Sequence, residues 1–452
     1  MRNVKPGAEQ RAHWERAYAH PGSRRAGLQG RSWASAPGRF NNLLNANGYT
    51  KIAHTTNFEM PMATFEPPPF PLVEMQAVAN ARNQWVALTL AVDTCGGTAR
   101  NALHSVFSYP YMLAALAPLD CIVLVGAPST LTPDLLELMP PGRVIFAIAG
   151  AALAHDGACA HIDALHQRGY RILLDGPVPH GAAVPRCLYS VALDCGQGAP
   201  AKRMSASQGG PHLARNIVSA ERFGECAEAG FAWFSGSYPL KPGALAGLND
   251  GTSRKRLLAL LGLLARDAES CDIEALLKQD PALSYQLFKL VNSAAFALDK
   301  PIASFGQAIQ LLGRRQLQRW LQLLLYARQG DDPLAHPLLP LAALRAAQLE
   351  ALCKLQGGDR EAQDLAFMAG VFSLLDMLFA IPMQEIVATL KLAPEVGSAL
   401  TTRAGRLGKL LGMVETDGAD LACLQDAHIE PAVWWQSQLE AYHWAIQVSR
   451  DN

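Results

Sequence analysis

The chain has 452 residues, of which half are hydrophobic and 17% charged, a globular composition that argues against wholesale disorder. Its 39 basic residues balance 39 acidic ones, so bulk charge gives no argument for a nucleic-acid or membrane partner. The nine cysteines include no Cys-x-x-Cys pair, and an odd count at irregular spacing does not suggest a disulfide framework and fits a reducing cytoplasm.

Residues 1–62 form a basic, weakly patterned arm with Arg2, Lys5, Arg11, Arg16, Arg24, Arg25, Arg31, Arg39 and Lys51 against only Glu9, Glu15 and Glu59. Such a segment is either a solvated, disordered leader or an electrostatic contact with an acidic partner. It lacks the apolar core of a secretory signal, and no uninterrupted apolar run approaches the roughly 18 residues of a membrane span. A soluble cytoplasmic protein is the expectation. Pro61 and the run Pro67, Pro68, Pro69 and Pro71 mark a stiff boundary before the first ordered domain, placed at residues 63–243.

Within that domain short apolar runs alternate with longer amphipathic ones. Strands are predicted at Trp85 to Val92, Cys121 to Val125, Val144 to Ile148, Arg171 to Leu174, Tyr189 to Leu193 and Phe231 to Phe234. Helices are predicted at Thr98 to Tyr109, stopped by Pro110, and at Cys159 to Arg168, closed by Gly169. Strand and helix in alternation imply parallel β/α units, whose chemistry sits where the strands end.

After Lys241-Pro-Gly243 leucine-rich segments with helical spacing take over: Arg256 to Ala265, Ile273 to Leu277, Ala282 to Val291, Ile309 to Leu325, Leu341 to Leu355 and Leu365 to Phe379. They predict a helical bundle over residues 248–413. A tail, 414–452, with Trp434, Trp435 and Trp444 is expected to add a docked helix.

Local signals in the bundle are specific. Asp280 can cap a helix whose first turn holds Pro281, and Leu283, Leu287, Leu290 and Val291 then share one face. Asn292 and Ser293 can cap that helix's end or face a partner. Ser304 and Gln307 form a capping box, and Gly313 separates that helix from the next. Arg314, Arg315 and Arg319 superficially suggest a DNA-reading helix, but a solvated face opposite Leu317, Trp320, Leu321 and Leu324 is the simpler expectation. His336, the lone histidine between Leu248 and Met413, lies in a loop-like stretch and is expected at the surface.

The segments Leu276 to Phe296, Ile302 to Gly313 and Ala366 to Leu375 closely resemble the HDOD domain, with Asp280, Pro281, Leu283, Asn292, Ser293 and Gly313 as its signature. The resemblance implies a helical relative of HD phosphohydrolases that lacks their metal ligands and serves bacterial signalling. The first domain resembles the EAL domain, a barrel whose active members hydrolyse cyclic di-GMP with two metal ions held by carboxylates. The similarity is carried by Gly169-Tyr-Arg-Ile-Leu-Leu-Asp-Gly176, Tyr189-Ser-Val-Ala-Leu-Asp194 and Gly230 to Pro242.

Carried over residue by residue, that resemblance implies an emptied site. The eponymous Glu falls at Thr89, a second Glu at Ala147 and the last-turn Glu near Val218, while the Gln of the closing Gln-Gly pair is Ser235. Only Asp175 and Asp194 remain of the carboxylates, as weak metal ligands or as strand-end and turn caps. The expected fold class is therefore α/β plus all-α: a shortened, degenerate EAL-like β/α barrel followed by an HDOD helical bundle. No catalytic residue, cofactor or resident metal is expected. The implied role is a signalling adaptor that docks other signalling proteins, with a cyclic di-GMP receptor as the alternative and self-association left open.

Overall fold

A computed structural model describes residues 70–93, 98–198, 209–241, 259, 262–263, 313–324, 326, 336–416 and 419–449. The basic arm and the signature residues Asp280, Pro281, Leu283, Asn292 and Ser293 lie outside the described residues, as do Ser304 and Gln307. The first half closes into an eight-stranded barrel in sequence order. Its strands are β1 (Val73–Asn80), β2 (Trp85–Val92), β3 (Asp120–Val125), β4 (Val144–Ala149), β5 (Arg171–Asp175), β6 (Ser190–Asp194), β7 (Leu213–Arg215) and β8 (Trp233–Phe234). Strands β2 to β8 run parallel, and β1 is antiparallel to both neighbours.

Alternation along each strand sorts residues into two layers. On β2, Ala87 joins an interior cluster with Val78, Ile122, Ile145, Leu173 and Trp233, to which all eight strands contribute. Leu88 and Leu90 point the other way, into the layer shared with the surrounding helices. Those helices are α1 (Ala99–Phe107), α2 (Met112–Ala115), α3 (Pro133–Glu137), α4 (Ala158–Gln167) and α5 (Ala220–Glu228). Thr98 caps α1 by accepting from the Asn101 amide, and Gly169 ends α4 with φ +87°, as its sequence position predicts.

The second half is helical: α6 (Arg314–Leu324), α7 (Leu338–Leu355), α8 (Arg360–Phe372), α9 (Leu375–Phe379), α10 (Met383–Leu390), α11 (Pro394–Thr402), α12 (Gly405–Glu415), α13 (Leu421–Asp426) and α14 (Pro431–Ser449). Three expectations change here. The single helix predicted over Leu365 to Phe379 is two, because the Ser373 hydroxyl donates to Gly370 O at 2.8 Å and Leu374 leaves helical geometry. His336 is in a loop but buried, where its Nδ1 accepts from the Leu338 amide and its ring meets Tyr326 edge-on. Arg315 and Arg319 are not a solvated face: both pair with Glu350 and Asp364, and Arg319 also lies over the Phe367 ring.

Arg360–Phe379 is long and apolar enough to cross a membrane by length and composition, yet 61% of that window is buried inside the protein, as a core helix would be. Helix α14 is covered on two sides. Trp434, Ala445 and Val448 enter the helical core, while Trp435, Leu439, Tyr442 and Ile446 enter the outer layer of the barrel. The Tyr442 hydroxyl donates to Met75 O of β1 at 2.7 Å, and Trp435 stacks on Phe70 with ring centroids 6.2 Å apart.

Helix α8 lies close against α7, where a Cβ at Gly370 would sit 2.4 Å from Ala346 Cα. Backbone cannot yield there as a side chain can. Gly370→Ala should therefore cost about 1–3 kcal/mol in urea denaturation. Gly412→Ala in α12, where nothing lies within 4 Å, should instead add about 0.5–1 kcal/mol. Equal effects at the two positions would sink this account of the packing.

Candidate functional site

In a parallel barrel the strand C-termini form one mouth, and the side chains gathered there come from consecutive strands. Asp175 ends β5, Asp194 ends β6 and Arg215 ends β7. The register sets Asp175 beside Ala192 and Asp194 beside Arg215. Arg215 reaches across β6 to Asp175, with its NH2 2.7 Å from Oδ1 and only 26% and 16% of the two side chains exposed. Charge more than alignment holds the pair, since Asp175 Oδ1 and Arg215 Nε lack an aligned hydrogen-bond partner.

Asp194 is engaged differently. Its Oδ1 accepts from the Gly196 amide at 2.9 Å and its Oδ2 from Asn216 Nδ2 at 2.7 Å. Asn216 takes φ +59°, a left-handed conformation that asparagine tolerates better than most residues. The two carboxyls consequently shift in opposite directions. Burial pushes Asp175 above the usual carboxylate range, with Arg215 pulling it down and Asp194 pushing it up. The Gly196 amide and Asn216 hold Asp194 below that range.

The other positions singled out in the sequence bring no acid to the mouth. The Thr89 hydroxyl donates to Gln76 O at 3.2 Å, tying β2 to β1. Ala147 belongs to the barrel interior, Val218 is exposed and Ser235 is buried. Gly313 immediately precedes α6 with φ +76° and lies in the helical half, so it belongs to no cluster with the two aspartates.

Two metal ions held by carboxylates do not fit this donor set. One aspartate faces a guanidinium, the other is occupied by two N–H donors, and among the described residues no three His, Cys, Asp or Glu side chains gather as a metal centre. Residues 199–208 contain no His, Cys, Asp or Glu. Arg215 and Asn216 were missed in the sequence because β7 is only three residues long. The available signal was a short apolar run ending in Arg-Asn, a charged residue at a strand end followed by one that favours φ > 0.

Several known proteins resemble parts of the chain. The chain is 26% identical over 239 residues to the uncharacterised protein YuxH of Bacillus subtilis, covering 51% of this chain and 58% of that one. It is 26% identical over 328 residues to the cyclic di-GMP phosphodiesterase CdgJ of Vibrio cholerae, covering 69% of this chain and 75% of that one. The chain thus spans little more than half the length of YuxH. Among solved structures, a standalone EAL protein from Vibrio cholerae in its c-di-GMP bound form matches at 13% identity and a TM-score of 0.29, over 38% of this chain and 92% of that one. The family model of the HDOD domain matches residues 255–381. The chain therefore carries an HDOD domain, C-terminal to a closed eight-stranded barrel.

Proposed function

We propose that this chain is a cytoplasmic bacterial signalling protein that works by docking other signalling proteins through its HDOD domain, with an EAL-like barrel that does not turn substrate over. The observation that carries the reading is the engagement of both mouth carboxylates, Asp175 by Arg215 and Asp194 by Gly196 and Asn216. In-line phosphodiester cleavage benefits from metal ions on both the attacking and the leaving oxygen. A guanidinium already paired with the better-buried aspartate competes with any cation for that place.

The named activity of CdgJ makes hydrolysis the competitor to test first. Purified protein incubated with cyclic di-GMP and Mg²⁺ or Mn²⁺ should release no linear dinucleotide, and metal-dependent product would overturn the non-catalytic reading. A second reading, cyclic di-GMP receptor, is favoured by Arg215, a partly exposed cation at the strand ends that a phosphate could share with Asp175. Isothermal titration separates the two: saturable nucleotide binding lost in Arg215→Met supports the receptor, and no heat supports docking alone. Among the described residues the large exposed hydrophobics are Tyr111, Val184 and Val218, all on the barrel. No large hydrophobic side chain is exposed on the described helices, so the docking reading is supported by the family match over residues 255–381 and not by an apolar patch.

The opposed shifts of the two aspartates are directly measurable. In a carboxyl-carbon NMR titration Asp194 should ionise below 3.8 and Asp175 above it. Because Asp194 is lowered on folding, its contribution to stability is present above 3.8 and is lost as pH falls through its folded value, so Asp194→Asn should flatten the acid limb of a stability curve. Asp175 has the opposite sign: its raised value favours the folded state below 3.8 and loses that effect as pH rises through the folded value. Arg215→Met should move Asp175 higher still and, by leaving a half-buried carboxylate unpaired, cost about 1–3 kcal/mol at neutral pH. Reversed order of the two titrations would contradict the hydrogen-bond assignment at the mouth.

A further inference from the structure

A cavity of about 140 Å³ lies where the barrel meets the helices, and its wall includes neither Asp175 nor Asp194. Its volume is close to the roughly 150 Å³ of an engineered protein cavity that accepts one benzene ring. One face of α7 lines it with Leu341, Leu344 and Arg345, and one face of α14 with Trp434 and Tyr442. Trp85 of β2 adds a third aromatic ring to the same wall.

Arg345 brings a cation to this wall, with only 11% of its side chain exposed. Its Nη1 donates to Ser373 Oγ at 3.0 Å and to Glu415 Oε1 at 3.1 Å, which uses both Nη1 hydrogens. Nε and Nη2 donate to no described residue, and unlike the sealed Nε atoms of Arg215 and Arg319 they keep access to solvent. With the rest of the side chain buried, that open edge borders the cavity.

The carboxylate beside Arg345 is already matched. Arg403 takes Glu415 in a bidentate fork, Nε to Oε2 at 2.6 Å and Nη2 to Oε1 at 2.8 Å, whereas Arg345 reaches one oxygen only. Two guanidiniums thus share one carboxylate, and Asp376 acts on Arg345 more weakly than Glu415 does. A buried cation so placed is short of negative charge. Its free edge, Nε with Nη2, is the same edge that Arg403 uses to hold a carboxylate.

We propose that this cavity is a binding site for a small aromatic monocarboxylate, of the benzoate class, whose carboxylate takes the free Nε and Nη2 edge of Arg345 and whose ring lies against Trp434 and Tyr442. The occupant supplies the missing negative charge and bridges α7, α14 and β2. The site stands whether or not the mouth binds nucleotide.

The full-length protein would be titrated with benzoate by saturation-transfer NMR at fixed ionic strength in chloride, with benzamide as the uncharged isostere and acetate as the carboxylate without a ring. Benzoate binding should saturate, and benzamide and acetate should each bind at least about tenfold more weakly. Arg345→Met should weaken benzoate by at least about tenfold and still fold, because Glu415 keeps Arg403. Absent saturation, benzamide or acetate as strong as benzoate, or undiminished affinity in Arg345→Met each overturns the proposal. Should circular dichroism show that this variant does not fold, NOEs from benzoate to the Trp434 and Tyr442 rings of the unaltered protein decide: their presence supports the site and their absence overturns it.

Discussion

Helix α14 has apolar residues around its whole circumference, and a helix of that kind is stable in water only when covered on more than one side. The architecture answers that requirement by placing it between two cores. Trp434 and Ala445 complete the helical layer, and Trp435, Leu439 and Ile446 complete the layer outside the barrel. Tyr442 serves both chemistries, its ring against Trp85 at 5.9 Å and its hydroxyl on the backbone of β1. A polar tip on an apolar body can satisfy a buried carbonyl without leaving the core. The side of β1 that short β8 leaves without a strand partner is covered in this way, which protects an edge that would otherwise invite pairing.

The mouth of the barrel shows how charge placement redirects a site. Three strand-end residues, Asp175, Asp194 and Arg215, are brought together by parallel register alone. What they do follows from which of them is desolvated. The better-buried Asp175 takes the cation, since an unpaired buried carboxylate is costly, while exposed Asp194 closes a local turn with backbone and amide donors. The same logic organises the helical half, where Glu415 receives both Arg345 and Arg403, and Arg345 also donates to Ser373 at the break between α8 and α9. Burial pushes the Arg345 guanidinium below its usual range, with Glu415 opposing that shift.

Much of this was legible in the sequence where a signal is local. The run Trp85 to Val92 became a strand with those bounds, and Gly169 closed its helix, because apolar runs and glycine caps act over a few residues. Strand β1 was not predicted: Glu74 and Gln76 interrupt its apolar residues, and it follows a proline run. Strand β7 is too short to carry a periodic signal, though it completes the barrel, whereas β8 falls inside the strand predicted at Phe231 to Phe234. Distant partners were invisible for a different reason. Nothing near Arg315 or Arg319 announces Glu350 and Asp364, and nothing near Arg345 announces Glu415, seventy positions on. Site chemistry built from such pairs needs the fold before it can be read.

The bond between Tyr442 and Met75 spans 367 positions of sequence. Contacts of that separation bring their loop-closure cost late, and chains emerging from the ribosome at about 5–20 residues per second meet them last. The Trp85 ring and the Met75 carbonyl that Tyr442 covers therefore stay without that cover for tens of seconds after β1 and β2 are made, at that pace. During synthesis this part of the sheet is open to solvent, and its dependence on chaperones should be greatest in that interval.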